Sequence, residues 1–202
     1  MKKILTILAT SVVMFAAPMA QAMPVTFSTT LNAANENPPN ASTGTGTAFV
    51  IFDTTAHTMQ VKITFTGLTG TTTAAHIHCC TLAPGNTGVA TEVPLFTGFP
   101  IGVTSGSYDH TFDMTLAASF NSPFVTNNGG TLLLAEAALF AGLQGERAYL
   151  NIHSTFRPGG EIRGFLHQVP EPGSLALLGL GLFGLAGVQA KRRAPRPELA
   201  SA

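Results

Sequence analysis

The chain has 202 residues, with 10 Lys and Arg balancing 10 Asp and Glu, and only 10% of its residues are charged. A soluble domain usually carries about 25%. With no basic excess to neutralise phosphates, nucleic-acid binding is excluded as a function class, and a hydrophobic content of 45% excludes intrinsic disorder.

Residues 1–22 have the three zones of a secretory signal peptide. Lys2 and Lys3 precede an apolar stretch from Ile4 to Ala17, and Ala20-Gln21-Ala22 places small residues where signal peptidase tests them. The mature chain then starts at Met23. The next 146 residues, 23–168, suit one hydrophobic core. They hold four Lys and Arg against eight Asp and Glu, a net charge of −4, so the neutral total hides an acidic domain between two basic-tipped ends.

Strand alternation dominates that body. Met59, Val61, Ile63 and Phe65 alternate with Gln60, Lys62 and Thr64, and Tyr108, His110, Phe112 and Met114 alternate with Asp109, Thr111 and Asp113. Further strands are expected at Val25–Leu31, Thr47–Asp53, Ala74–Cys79, Ala148–Ser154 and Glu161–His167. Leu132–Leu143 is rich in Leu and Ala and reads as a single helix. So many short one-sided strands predict an all-β fold, an antiparallel Greek-key or immunoglobulin-like sandwich or barrel. The Gly- and Pro-rich stretch Pro84–Gly106 is too long for a hairpin turn and reads as a surface excursion.

His76-Ile77-His78 is the sharpest chemical feature. Positions i and i+2 of a strand share a face, so both imidazoles point together while Ile77 points into the core. In Tyr149-Leu150-Asn151-Ile152-His153, the apolar Leu150 and Ile152 assign His153 to the outer face. If the two strands are neighbours, His76, His78 and His153 converge there as a nitrogen set suited to copper or zinc. The competing expectation is structural: polar caps hydrogen-bonded across strands to Asn151, Glu161 or Arg163. His110, among aromatic neighbours, reads as a core histidine, and His57 and His167 fall at strand ends.

Cys79 and Cys80 are adjacent, and Cys80 shares parity with the histidines if the strand extends that far. A vicinal disulfide, a metal ligand at Cys80 and an inter-chain bridge all stay open. Catalytic motifs are lacking: the sequence has no G-x-S-x-G, P-loop or H-E-x-x-H. Asp109 and Asp113 would stand about 13–14 Å apart along a strand, too far for a glycosidase pair. No enzymatic activity is expected.

The C-terminal end has its own order of elements. Val169-Pro170-Glu171-Pro172 precedes an uncharged 18-residue run from Gly173 to Ala190, and Lys191, Arg192 and Arg193 follow. As a helix the run would reach about 27 Å, enough to cross a bilayer. The cations would hold its far end in the cytoplasm and leave the body on the other side. This series resembles the PEP-CTERM sorting signal of bacterial exported proteins. The resemblance implies recognition by an exosortase-type membrane protease, removal of the transient anchor, and delivery to the cell surface or an extracellular polymer. The tail 194–202 is longer than that pattern needs.

The body is similar to the CHRD domain, named from chordin. The matching stretches are Leu31-Asn-Ala-Ala-Asn-Glu36-Asn-Pro38-Pro39, Ala75-His76-Ile77-His78, Tyr149-Leu-Asn151-Ile-His153 and Pro158-Gly159-Gly160-Glu161-Ile162-Arg163-Gly164. The resemblance spans about 27–167 and implies an all-β fold with no established enzymatic activity. Cys79-Cys80 stands where that family often has a Gly. Glu161 and Arg163 share one strand face and are expected to buttress the histidines.

Overall fold

The computed structural model describes residues 23–170, 179 and 181–183. The expected leader 1–22, the tail 194–202, Glu171, Pro172 and the Lys191–Arg193 cluster lie outside those residues, as does most of the expected membrane helix 173–190. Among the described residues, no helix is long and apolar enough to cross a membrane.

Eight strands form one sheet: β1 (Val25–Asn32), β2 (Thr45–Asp53), β3 (Thr58–Thr66), β4 (Thr72–Cys79), β5 (Gly106–Asp113), β6 (Ala148–Ser154), β7 (Ile162–Phe165) and β8 (His167–Gln168). The spatial order is β4-β6-β7-β1-β2-β3-β5, with β8 beside β1, and every pairing is antiparallel. The expected antiparallel, mostly β architecture is present, and of the sandwich and barrel forms it lies nearer the barrel. The fold is a single curled half-barrel, and helix and loop residues fill its hollow.

The hollow follows from alternation. Phe27, Leu31, Val50, Phe52, Met59, Val61, Ile63, Ile77, Leu150 and Ile152 all face inward and are buried. Helix α2 (Leu132–Gln144) lies against them. Thr131 caps it by accepting from the Leu134 backbone N–H at 3.3 Å, and Phe140 packs on Phe27 and Phe52 at 6.3 and 5.2 Å between ring centroids. A short helix, α1 (Ser122–Asn127), precedes it with Pro123 in its first turn. Fully burying one such aromatic or aliphatic side chain stabilises the fold by roughly 1.5–3 kcal/mol.

The excursion after β4 packs back onto the molecule. It runs along the outer edge of β4, where Gly88 O accepts from Cys79 N, Ala90 N donates to Ile77 O and Phe96 N donates to Ala75 O. Phe96 and Phe99 then stack on Tyr108 and Phe65 of the far strands, so this loop spans the opening between the two sheet edges.

Cys79 and Cys80 are joined to each other in a vicinal disulfide. Both sulfurs face α2 at Gly142, where an added Cβ would overlap them. We expect Gly142→Ala to destabilise the protein by about 1–3 kcal/mol through overpacking, read as a fall in Tm. An unchanged Tm would mean that α2 does not seat on the disulfide.

Candidate metal centre

Strand β4 pairs with β6 in the register Ala74↔His153, His76↔Asn151 and His78↔Tyr149. That pairing puts His76, His78 and His153 on the same face. Ring centroids are 5.1 Å apart for His76–His153, 6.0 Å for His78–His153 and 6.1 Å for His76–His78. One nitrogen from each ring lies within 4.8 Å of the other two.

The face differs from the expected one in its exposure. Loops cover it, so His76 and His78 are buried and His153 is half-buried. Each ring uses one nitrogen on a loop carbonyl. His76 Nε2 bonds Pro94 O at 2.7 Å, His78 Nδ1 bonds Thr87 O at 2.8 Å, and His153 Nδ1 bonds Pro158 O at 2.9 Å. A carbonyl only accepts, so each of these nitrogens carries the hydrogen. The remaining nitrogens, His76 Nδ1, His78 Nε2 and His153 Nε2, therefore hold bare lone pairs, and all three are buried without a partner. Fixing the tautomer through the outer nitrogen is how metal-binding imidazoles are oriented.

Burial pushes the basicity of all three rings down. His76 and His78 are each lowered to about 4 against the partial support of their carbonyl bonds, and His153 is lowered by the same cause. At neutral pH the trio is uncharged and its lone pairs are free to ligate.

The expected supports take other places. Asn151 sits between His76 and Arg163 in the register, with its Oδ1 buried and unpartnered. Gly160, at φ +135°, presses on that side chain in a way a Cβ would prevent. Arg163 does not bond the rings. Its guanidinium donates to Asn35 O at 2.6 Å, Asn86 Oδ1 at 2.6 Å and Pro84 O at 2.8 Å. Its Cζ stands 4.7 Å over the Tyr149 ring, which stacks on His78 at 4.7 Å and 5°. Glu161 serves a different cluster, accepting from Ser154 Oγ, Ser42 Oγ at 2.5 Å, Thr69 N at 2.5 Å and Gly70 N at 3.2 Å. It clamps the chain before β2 and β4 to the end of β6.

Cys80 is not part of the cluster. Its sulfur is bonded to Cys79 and points at Ala138 O on α2. The other histidines lie apart from the centre: His57 Nδ1 is 2.8 Å from Glu136, His167 Nδ1 is 3.2 Å from Glu146, and His110 packs on Phe112 at 4.7 Å.

Sequence reasoning missed Tyr149 and Glu36. Tyr149 had a signal, since it shares parity with His153. Glu36 is buried 3.8 Å from Arg163, with Oε1 unpartnered. Burial pushes its carboxyl up to about 7 although Arg163 opposes the shift. Its folded value thus exceeds the ordinary 4.5, so the folded state holds a proton that the unfolded chain has released. Its contribution to stability falls as pH rises from about 4.5 to about 7. Glu36→Gln is expected to flatten Tm against pH across that window and to be more stable than the parent at pH 8. An unaltered slope would assign the effect elsewhere.

The structure thus defines an antiparallel β-domain with a tri-histidine centre under its longest loop. The CHRD domain family model matches residues 27–166, and the chain belongs to that family. The PEP-CTERM protein-sorting motif matches residues 168–193, which marks an exported protein processed by an exosortase-type system for the surface or the extracellular space. Searches of curated proteins and of solved structures return no match.

Proposed function

We propose that the mature protein is a non-enzymatic metal-binding module displayed at the cell surface or within an extracellular polymer. Signal peptidase removes residues 1–22, the apolar segment 173–190 anchors the chain in the membrane for a time, and the exosortase-type protease then releases it. The working part is the tri-histidine centre, which takes one copper or zinc ion.

One observation carries the metal assignment: three buried imidazole nitrogens have no partner, on three rings that each bring a ligand atom within 4.8 Å of the other two. A buried nitrogen without a hydrogen bond costs about 1–3 kcal/mol, and three together need a reason. A clamp-only role is favoured by the bonds to Pro94, Thr87 and Pro158, yet it leaves those three nitrogens unexplained. Zn–N bonds of about 2.0–2.1 Å require the rings to close by about 1 Å. Elemental analysis of the purified full-length chain should find close to one copper or zinc per molecule, and added metal should raise Tm. Metal well below one equivalent, with Tm unmoved by either ion, would reject the proposal.

A further inference from the structure

We infer that the centre is built for a monovalent, three-coordinate ion, namely copper in its reduced state, Cu(I). The inference rests on the metal-binding proposal and narrows it. Two independent features point the same way.

The first is the number of donors. Among the described residues the cluster consists of three histidines, with no carboxylate or thiolate in reach. The three facing nitrogens are shut off from solvent, and Cys80, on the same strand's end, is committed to its disulfide. Zinc in proteins is almost always four-coordinate, its fourth place taken by a further side chain or by water. A closed-shell Cu(I) ion is satisfied by three nitrogens in a plane, and imidazole is a good copper donor.

The second is charge. All three donors are neutral, so a bound ion keeps its whole charge, and that charge must enter any electrostatic account. A fixed positive charge stands behind His78: Arg163 caps the column Arg163–Tyr149–His78. Its one carboxylate neighbour, Glu36, stands 3.8 Å away on the side of Nε, and burial works against its ionisation. The cost of burying an ion grows with the square of its charge, so a divalent ion meets about four times the penalty of a monovalent one. With no anion supplied by the described side chains, the lower charge is favoured.

The test is an anaerobic competition. The full-length chain in detergent, with ascorbate present, is titrated with Cu(I) against a chromophoric Cu(I) chelator, and separately with Zn(II) against a Zn(II) chelator. One equivalent of Cu(I) should bind at least a hundredfold more tightly than Zn(II), and X-ray absorption should show copper with three nitrogen neighbours. Zinc binding equal to or tighter than Cu(I), or a fourth ligand in the absorption spectrum, would overturn this inference and leave the metal-binding proposal in place. If neither ion binds, both fall.

Discussion

A His76→Ala/His78→Ala chain is expected to fold and to leave purification without metal. Structural zinc sites bind with about 10–16 kcal/mol through four ligands, so losing two of three imidazoles should weaken affinity at least about a thousandfold. The variant also loses the bonds to Pro94 O and Thr87 O, at about 1 kcal/mol each. Removing two buried nitrogens that lack partners offsets part of that loss. The metal-free variant should therefore melt only a few degrees below the metal-free parent, while the metal-induced rise in Tm disappears. His167→Ala is the control: that ring is exposed and pairs with Glu146, so one equivalent of metal should stay. Full metal content in the double variant would move the site elsewhere.

Glu161→Ala is expected to cause the largest loss of stability of any single change described here, about 3–5 kcal/mol by chemical denaturation. The side chain is fully buried, and its carboxylate is the acceptor for two hydroxyls and two backbone N–H groups. Truncation leaves all four donors without it. Burial pushes the Glu161 carboxyl up, but the donors from Ser154, Ser42, Thr69 and Gly70 outweigh it and hold the group below the ordinary 4.5. The contribution is therefore complete above that value and is lost as pH falls toward the folded-state value. The parent should lose stability on acidification below about pH 4.5, and the alanine variant should lose less across the same range. Equal acid sensitivity in both would show that other carboxylates carry the effect.

Much of the fold is legible in the residues. Period-two alternation locates the strands because each presents one face to the hollow, and the Leu- and Ala-rich run locates α2. The helix at Ser122–Asn127 is too short for a periodic pattern, and its one sequence signal is the start Asn121-Ser122-Pro123. The single sheet was not legible, since alternation states that one face is buried and not what buries it. Here α2, Phe96 and Phe99 bury it.

Parity put His76, His78 and His153 on one face, and the β4–β6 register brings them together. Their burial could not be read, because it comes from loop carbonyls 9 to 18 positions away along the chain from His78 and His76. Arg163 and Glu161 read in sequence as supports of the histidines on the outer face. Both are almost wholly buried, each held by backbone groups that only the folded chain assembles.

The loop along β4 has a further consequence for an exported protein. An open strand edge is a template on which another chain can add itself and start a fibril. Here Gly88, Ala90 and Phe96 already satisfy the outer backbone groups of Cys79, Ile77 and Ala75. At the opposite border, β5 turns Asp109 and Asp113 outward, and charge discourages the same growth. Neither border of the sheet thus offers a neighbouring copy a bare, uncharged edge to extend.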